Sequence, residues 1–238
     1  MMSAKEEIRQ NLDEIRARIA AAAARTGRSA QEILLLGVSK TVEPERINIA
    51  LDYGISAIGE NKAQELCGKY DALHLQGKQV HFIGHLQTNK INSILDKVDL
   101  IHSVDTLKLA TAIDERAARL GKVTDILAQI NISDQDSKFG MAPEQLADFL
   151  RRVSQLKHVC VRGLMTIPRP VQNPEDARAD FRRMYKLFVD MKEEKIDNVH
   201  MDLLSMGMSA DYEIAIEEGA NIVRIGTSIF GRRKNIMK

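Results

Sequence analysis

The sequence predicts an α/β protein folded as a (β/α)8 TIM barrel, a closed ring of eight parallel strands inside a layer of helices. Eight short apolar runs alternate with helical patterns, and the connections are short enough for right-handed crossovers. The length of 238 residues is typical of such a barrel. No linker rich in proline or serine interrupts the alternation. We therefore expect a single domain over residues 1–238, with the barrel itself at 33–231.

A helix precedes the barrel within residues 1–27. Ser3 and Glu6 have the spacing of a capping box, in which each side chain accepts a hydrogen bond from the main-chain amide of the other residue. Apolar side chains then recur at helical spacing, at Ile8, Leu12, Ile15 and Ile19. No helical pattern follows the eighth strand, so we expect this N-terminal helix to take the missing place.

The eight strands are predicted from short runs rich in branched apolar residues, which are typical of strands buried on both faces. They occupy residues 33–40, 57–61, 80–84, 100–104, 125–132, 159–167, 201–204 and 222–225. The helices between them are predicted from apolar residues at helical spacing, with glycine or proline at several boundaries. They occupy residues 44–53, 64–73, 88–95, 107–120, 143–156, 175–194 and 210–218.

The charge balance argues against a nucleic-acid partner and against an anionic membrane surface. The formal net charge is +1, which is too small to attract a polyanion over distance. No apolar segment has the length of a membrane span, and the first residues lack the apolar core of a signal peptide. Cys67 and Cys160 show no pairing pattern and are interpreted as ordinary thiols. We therefore expect a cytoplasmic protein.

Lys40 is the first candidate for chemistry because it ends the apolar run of the first strand. An ammonium group at such a place is poorly solvated, and desolvation favours the neutral amine that attacks carbonyl carbons. Lys40 is therefore a candidate for Schiff-base formation. The alternative is that it simply marks the solvated end of a strand.

Two loops have the composition of a phosphate site. Residues 205–209, Ser-Met-Gly-Met-Ser, follow the seventh strand and lead into a helix, and Gly226, Thr227 and Ser228 follow the eighth. Barrels commonly bind phosphate with the loops after these two strands. Hydroxyl groups, a glycine that admits close approach and a helix start suit a phosphate. Ser205, Ser209, Gly226 and Thr227 are therefore candidate contacts.

Arg224 lies inside the apolar run of the eighth strand and needs an acceptor there. It forms either a salt bridge across the barrel or a contact with a ligand held near Lys40.

Other strand ends also carry polar residues. Asn61 ends the second strand. His81 and His85 flank the third strand without sharing a helix face, so we expect no metal site there. The loop after the fifth strand is interpreted as solvated or as a ligand gate, and carries Asp134, Asp136 and Lys138.

Six segments together resemble the pyridoxal phosphate homeostasis protein family. They are Val38-Ser39-Lys40-Thr41, Gly59-Glu60-Asn61, His81-Phe82-Ile83-Gly84-His85-Leu86-Gln87, Asn131-Ile132-Ser133, Leu204-Ser205-Met206-Gly207-Met208-Ser209 and Val223-Arg224-Ile225-Gly226-Thr227. They occur in the same order as in the family and span nearly the whole chain.

The resemblance implies a barrel related to the N-terminal domain of alanine racemase, with pyridoxal 5'-phosphate (PLP) held as an imine on Lys40. It also implies that Asn61 lies along the pyridine ring and Arg224 beside the ring nitrogen. The implied phosphate contacts are Ser209, Gly226 and Thr227, with Ser205 nearby.

An arginine at the ring nitrogen keeps that nitrogen unprotonated and weakens the ring as an electron sink. We therefore expect a protein that buffers PLP and delivers it to PLP-dependent apoenzymes without robust turnover. We also expect it to be a monomer or weak dimer. One alternative is a PLP-dependent amino-acid racemase. A second is a Schiff-base aldolase that acts on a phosphorylated sugar without a cofactor.

Overall fold

The computed structural model describes residues 3–133 and 139–231. Its strands form a closed barrel in which neighbours in the chain are parallel neighbours in space and the last strand pairs with the first. The strands are β1 (Leu34–Val38), β2 (Ala57–Glu60), β3 (Gln79–Phe82), β4 (Leu100–Val104), β5 (Thr124–Ile130), β6 (Val159–Thr166), β7 (Val199–Met208) and β8 (Ile222–Ile225). The predicted fold class is confirmed.

The helices surround the barrel. They are α1 (Ala4–Arg25), α2 (Pro44–Asp52), α3 (Ala63–Lys69), α4 (Ile91–Ile94), α5 (Leu107–Arg119), α6 (Leu146–Val153), α7 (Arg178–Glu193), α8 (Tyr212–Glu217) and α9 (Thr227–Phe230). Several are shorter than predicted because a 3-10 turn, the tighter form common at helix ends, takes one end. Such turns lie at Tyr70–Ala72, Thr88–Lys90, Pro143–Gln145 and Pro174–Ala177.

β7 corrects the predicted boundary of the seventh strand. The sequence placed the strand at residues 201–204 and Ser205 in the following loop, whereas the strand continues to Met208. Its register against β8 shifts between Ser205 and Met208, and Gly207 has a φ of +90° within that interval. This irregularity resembles a bulge, which bends a strand without ending it. Ser205 is therefore a buried strand residue.

α1 fills the gap beside the end of the chain, as the sequence predicted. It contacts α2, α8 and α9. The side-chain amide of Asn11 donates to the carbonyl of Ile229 at 3.0 Å, and Arg18 pairs with Glu213. The capping box of Ser3 and Glu6 is present. The four-residue α9 was not predicted, because so short a helix leaves no periodic pattern.

Apolar side chains form two layers. The outer layer lies between the barrel and the helices, and the inner layer fills the barrel. The inner residues are Leu36, Val38, Ala57, Ile83, Leu100, Leu127, Met165 and Ile222. Buried polar residues also face inward, because the flanking residues of their strands belong to the outer layer. They are His81, His102, Ser205 and Arg224.

Over residues 3–133 and 139–231, no helix has both the length and the apolar character needed to cross a lipid bilayer. The thiols of Cys67 and Cys160 are free. One sequence interpretation concerns positions outside the described residues, namely the charged loop with Asp134, Asp136 and Lys138.

Candidate functional site

The predicted site residues lie at the carboxyl ends of adjacent strands. β1 pairs with β8 so that Leu36 is opposite Arg224. Two residues further along each strand, Gly226 approaches β1 so closely that a Cβ atom there would lie 3.0 Å from the carbonyl oxygen of Val38. Lys40 follows β1 and is partly buried. Lys40 and Gly226 therefore leave the barrel from neighbouring strands at the same end.

The turn that carries Lys40 is fixed by main-chain hydrogen bonds on both sides. The amide of Ser39 donates to the carbonyl of Gly59 at 3.0 Å, and the amide of Thr41 donates to the carboxylate of Glu65. Thr41 has a φ of +61°, a left-handed conformation that is uncommon for a residue other than glycine. The main chain on both sides of Lys40 is therefore fixed.

A buried ion pair supports the same turn. The ammonium of Lys69 lies 2.5 Å from Oε1 of Glu60 and donates to the carbonyl of Ser39 at 2.8 Å. The hydroxyl of Ser39 donates to the same Oε1 at 2.5 Å. Burial raises the pKa of Glu60, although Lys69 and Ser39 act against that shift. The sequence had placed Glu60 at the end of a strand but had not identified Lys69 as its partner.

Two buried oxygen atoms lie at the end of β2 without a hydrogen-bond partner among the described residues. Oε2 of Glu60 and Oδ1 of Asn61 are buried and have no hydrogen-bond partner within the described part of the chain. Gly84 makes the position of Asn61 possible, because a Cβ on Gly84 would lie 2.1 Å from the carbonyl oxygen of Asn61. Buried acceptors without partners are costly unless a ligand or water satisfies them. This part of the site therefore fits a polar molecule.

Arg224 supplies a buried positive charge. Its side chain is 4% exposed, and it donates to the hydroxyl of Ser205 at 2.7 Å and to the carbonyl of Thr166 at 2.8 Å. Burial lowers its pKa to about 10, so the guanidinium remains charged at neutral pH. The salt bridge across the barrel that the sequence left open is not the arrangement seen, since both acceptors are neutral.

The candidate phosphate contacts lie in the segments that follow β7 and β8. Ser209 is partly buried between β7 and α8, Gly226 is the residue before α9, and Thr227 is exposed as the first residue of that helix. The first amides of a helix have no partner within it. Asp211 is buried here and accepts from the amide of Met208 at 2.6 Å, and burial raises the pKa of its carboxyl.

Sequence reasoning missed His102, which bonds to Ser205 at 3.0 Å inside the barrel. The available signal was its position within a strand buried along its whole length, where a polar residue needs a partner. His85, by contrast, is exposed and stacks on Phe139 with ring centroids 4.0 Å apart.

Tyr212, the first residue of α8, is buried under α1. The guanidinium of Arg18 lies over its ring, 5.4 Å from the centroid. Its hydroxyl has no hydrogen-bond partner among the residues that the structure describes.

Comparison with known proteins gives consistent matches along the whole chain. The family described as alanine racemase, N-terminal domain, matches residues 7–234. A pyridoxal phosphate homeostasis protein of Aquifex aeolicus is 45% identical over 225 residues, covering 94% of this chain and 98% of that protein. A protein of the same name from Escherichia coli strain K12 is 41% identical over 231 residues, covering 95% of this chain and 97% of that protein.

A solved structure extends the comparison to three dimensions. PipY of Synechococcus elongatus PCC7942, with PLP bound, superposes with a TM-score of 0.77 at 31% identity, covering 90% of this chain and all of that one. These relatives are of the same family that the six sequence segments resemble. The chain therefore belongs to the pyridoxal phosphate homeostasis protein family, whose barrel is of the alanine racemase N-terminal type.

Proposed function

We propose that this protein binds PLP reversibly as a Schiff base on Lys40, buffers it, and delivers it to PLP-dependent apoenzymes in the cytoplasm without robust turnover of its own. The observation that carries the proposal is the buried cation of Arg224, at the carboxyl end of β8 and one strand from Lys40. The PLP-bound relative PipY supports the choice of ligand.

The residues present fit this cofactor in charge and shape. The proposed role of Arg224 is to face the ring nitrogen with a fixed positive charge, while the unpartnered oxygen of Asn61 accepts from a polar group along the ring. Ser209, Gly226 and Thr227 would hold the phosphate through hydroxyl and amide groups, with Ser205 nearby holding Arg224. When bound, PLP supplies an aldehyde that condenses with a lysine amine and releases water, and a ring that withdraws electrons.

Weak turnover is proposed from the groups near the amine. Proton abstraction from an amino acid requires a base within reach of the substrate. The ring of Tyr212, which begins α8 after β7, lies under Arg18 instead. A guanidinium at the ring nitrogen disfavours protonation of that nitrogen, which limits stabilisation of a carbanion.

Reduction with borohydride followed by peptide mass spectrometry tests the covalent link. We expect a PLP adduct on Lys40 and a visible absorption band that Lys40→Ala removes. Lys62→Ala is the matched control, because Lys62 is an exposed lysine at the same end of the barrel. An adduct of equal extent in Lys40→Ala would contradict the proposal, and a reduced sugar adduct in its place would support an aldolase.

A PLP-dependent amino-acid racemase is the second candidate, since the matching family is described by the N-terminal domain of alanine racemase. Steady interconversion of D- and L-alanine that Lys40→Ala abolishes would favour this candidate. Transfer of PLP to an apoenzyme, without such interconversion, would favour the carrier.

A further inference from the structure

A continuous chain of side-chain hydrogen bonds runs through the inside of the barrel. It begins at Gln79, an exposed residue at the amino-terminal end of β3, and ends at Arg224. The successive distances are 3.1 Å from Gln79 Oε1 to His81 Nε2, 3.0 Å from His81 Nδ1 to His102 Nε2, 3.0 Å from His102 Nδ1 to Ser205 Oγ, and 2.7 Å from Ser205 Oγ to Arg224 Nη1. We call these five residues the internal chain.

The direction of the hydrogen bonds in the internal chain follows from Gln79, whose side-chain oxygen faces Nε2 of His81. A guanidinium can only donate, so Ser205 accepts from Arg224, and the carbonyl oxygen of Gln79 can only accept, so His81 donates to it from Nε2. A neutral imidazole has one N–H, which leaves Nδ1 of His81 to accept from Nε2 of His102. Nδ1 of His102 then has no proton and accepts the hydroxyl hydrogen of Ser205.

Both imidazoles are neutral, because a second charge in this interior would be costly. Burial lowers the pKa of His81 to about 4. Burial, and after it the interactions with His81 and with the charge of Arg224, lower the pKa of His102 well below its usual value. The internal chain therefore keeps one proton arrangement over the neutral range.

We propose that His81 and His102 are positioning residues for Arg224, acting through Ser205, and that Gln79 at the opposite end of the barrel sets the direction of the internal chain. The inference rests on the proposed function, in which Arg224 faces the ring of PLP. A serine hydroxyl alone rotates freely between partners. Because His102 takes its hydrogen, the oxygen lone pairs of Ser205 stay directed at Arg224, which fixes the guanidinium.

Histidine tautomers in the ligand-free protein test the internal chain without any cofactor. Two-bond proton–nitrogen correlation spectra of the full chain, labelled with 15N at its six histidines, distinguish the two ring nitrogens. We expect His81 and His102 both to carry the proton on Nε2. Protons on Nδ1 of both rings would overturn the assigned direction.

Substitutions at Gln79 test whether the direction is transmitted. Gln79→Lys places a group that can only donate opposite His81, so both tautomers are expected to change to Nδ1–H. Gln79→Met is the control, because it removes the amide without adding a donor and leaves His81 to donate to water at the exposed barrel end. Since Gln79 is exposed, both variants are expected to fold. An unchanged tautomer of His102 in Gln79→Lys would refute transmission.

PLP titration links the internal chain to the site. We expect Ser205→Ala to weaken PLP binding by up to about tenfold and to shift the visible absorption maximum of the bound ligand. Ser103→Ala is the matched control, since Ser103 is also buried but its hydroxyl has no partner within the described residues. Gln79→Lys, which lies at the other end of the barrel, should produce a shift that Gln79→Met does not.

The two proposals fail in different ways. If the wild-type protein gives no visible band with PLP, the proposed function is wrong, and the tautomer spectra still decide the direction of the internal chain. If the band forms but Ser205→Ala and Gln79→Lys leave it unshifted, PLP binding stands and the positioning role is refuted.

Discussion

The ammonium of Lys69 lies 2.5 Å from the carboxylate of Glu60, and both side chains are buried. Lys69 also donates to the carbonyl of Ser39, the residue immediately before Lys40. A third bond, to Glu65 at 3.0 Å, uses the last donor of the ammonium. The pair therefore joins the end of β2 to α3 and holds the turn from which Lys40 projects.

Lys69→Met leaves the carboxylate of Glu60 buried without its partner, so we expect the free energy of unfolding to fall by about 3 to 5 kcal/mol. Urea denaturation measures this change in the free energy of unfolding. Because Lys69 no longer opposes burial in the folded variant, the pKa of Glu60 is raised further, the folded state binds the extra proton, and the loss of stability is expected to grow as pH rises.

Lys97→Met is the matched control for this substitution, because Lys97 pairs with Asp96 at the surface and should cost less than about 1 kcal/mol. Glu60→Gln in the Lys69→Met background removes the stranded charge and is expected to recover part of the stability. Equal losses for Lys69→Met and Lys97→Met would show that the buried pair has no special role.

Gly84→Ala is expected to destabilise the protein by about 1 to 3 kcal/mol and to weaken PLP binding. The new Cβ would lie 2.1 Å from the carbonyl oxygen of Asn61, so the end of β2 must move. Gly68→Ala is the control, since among the described residues nothing beyond its chain neighbours and its own helix backbone lies within 4 Å of the added Cβ, and alanine favours the helix by about 1 kcal/mol. Thermal unfolding and PLP titration of both variants give the comparison, and equal PLP affinities would contradict the role of Gly84.

The barrel could be predicted because each strand is a short apolar run bounded by turn residues, as in residues 100–104. The structure differs from the predicted element boundaries where tertiary contacts override the local sequence pattern. β7 continues through Gly207 because pairing with β8 resumes at Met208 after a shift in register. A boundary prediction that stops at the last branched apolar residue cannot include this irregular continuation.

Lys40 and Arg224 could be selected as candidates because a charged residue within or at the end of an apolar strand stands out in the sequence. Lys69 and His102 did not stand out in the same way. Lys69 ends an ordinary helix, and it is buried only because α3 brings it against Glu60. His102 acquires its role from Ser205, which is 103 residues away in the chain, and one sequence alone gives no sign of that contact.

Thr227→Val tests the proposed phosphate site, since it removes one hydroxyl and preserves shape. A hydrogen bond to a charged group contributes about 1.5 to 3 kcal/mol, so the dissociation constant for PLP is expected to rise about 10- to 100-fold. Pyridoxal, which lacks the phosphate, is the matched ligand and should bind wild type and variant equally. A parallel loss of pyridoxal affinity would place Thr227 elsewhere in the site. Absorbance titration measures both ligands.

Acid should destabilise the protein partly through its buried histidines. The pKa of His81 is lowered from 6.5 to about 4 in the folded state, so between these values the unfolded chain binds a proton that the folded chain does not. Stability contributed by neutral His81 is therefore complete above about pH 6.5 and falls as pH decreases, by about 2 to 3 kcal/mol at pH 4.5.

Carboxylate titrations are common to wild type and variants, so their effect cancels in a comparison of slopes. We expect the free energy of unfolding of His81→Gln, measured in urea from pH 7.5 to 4.5, to depend less on pH than that of wild type. His200→Gln, which removes an exposed imidazole, should keep the wild-type slope. Parallel curves for wild type and His81→Gln would show that His81 does not contribute in this way.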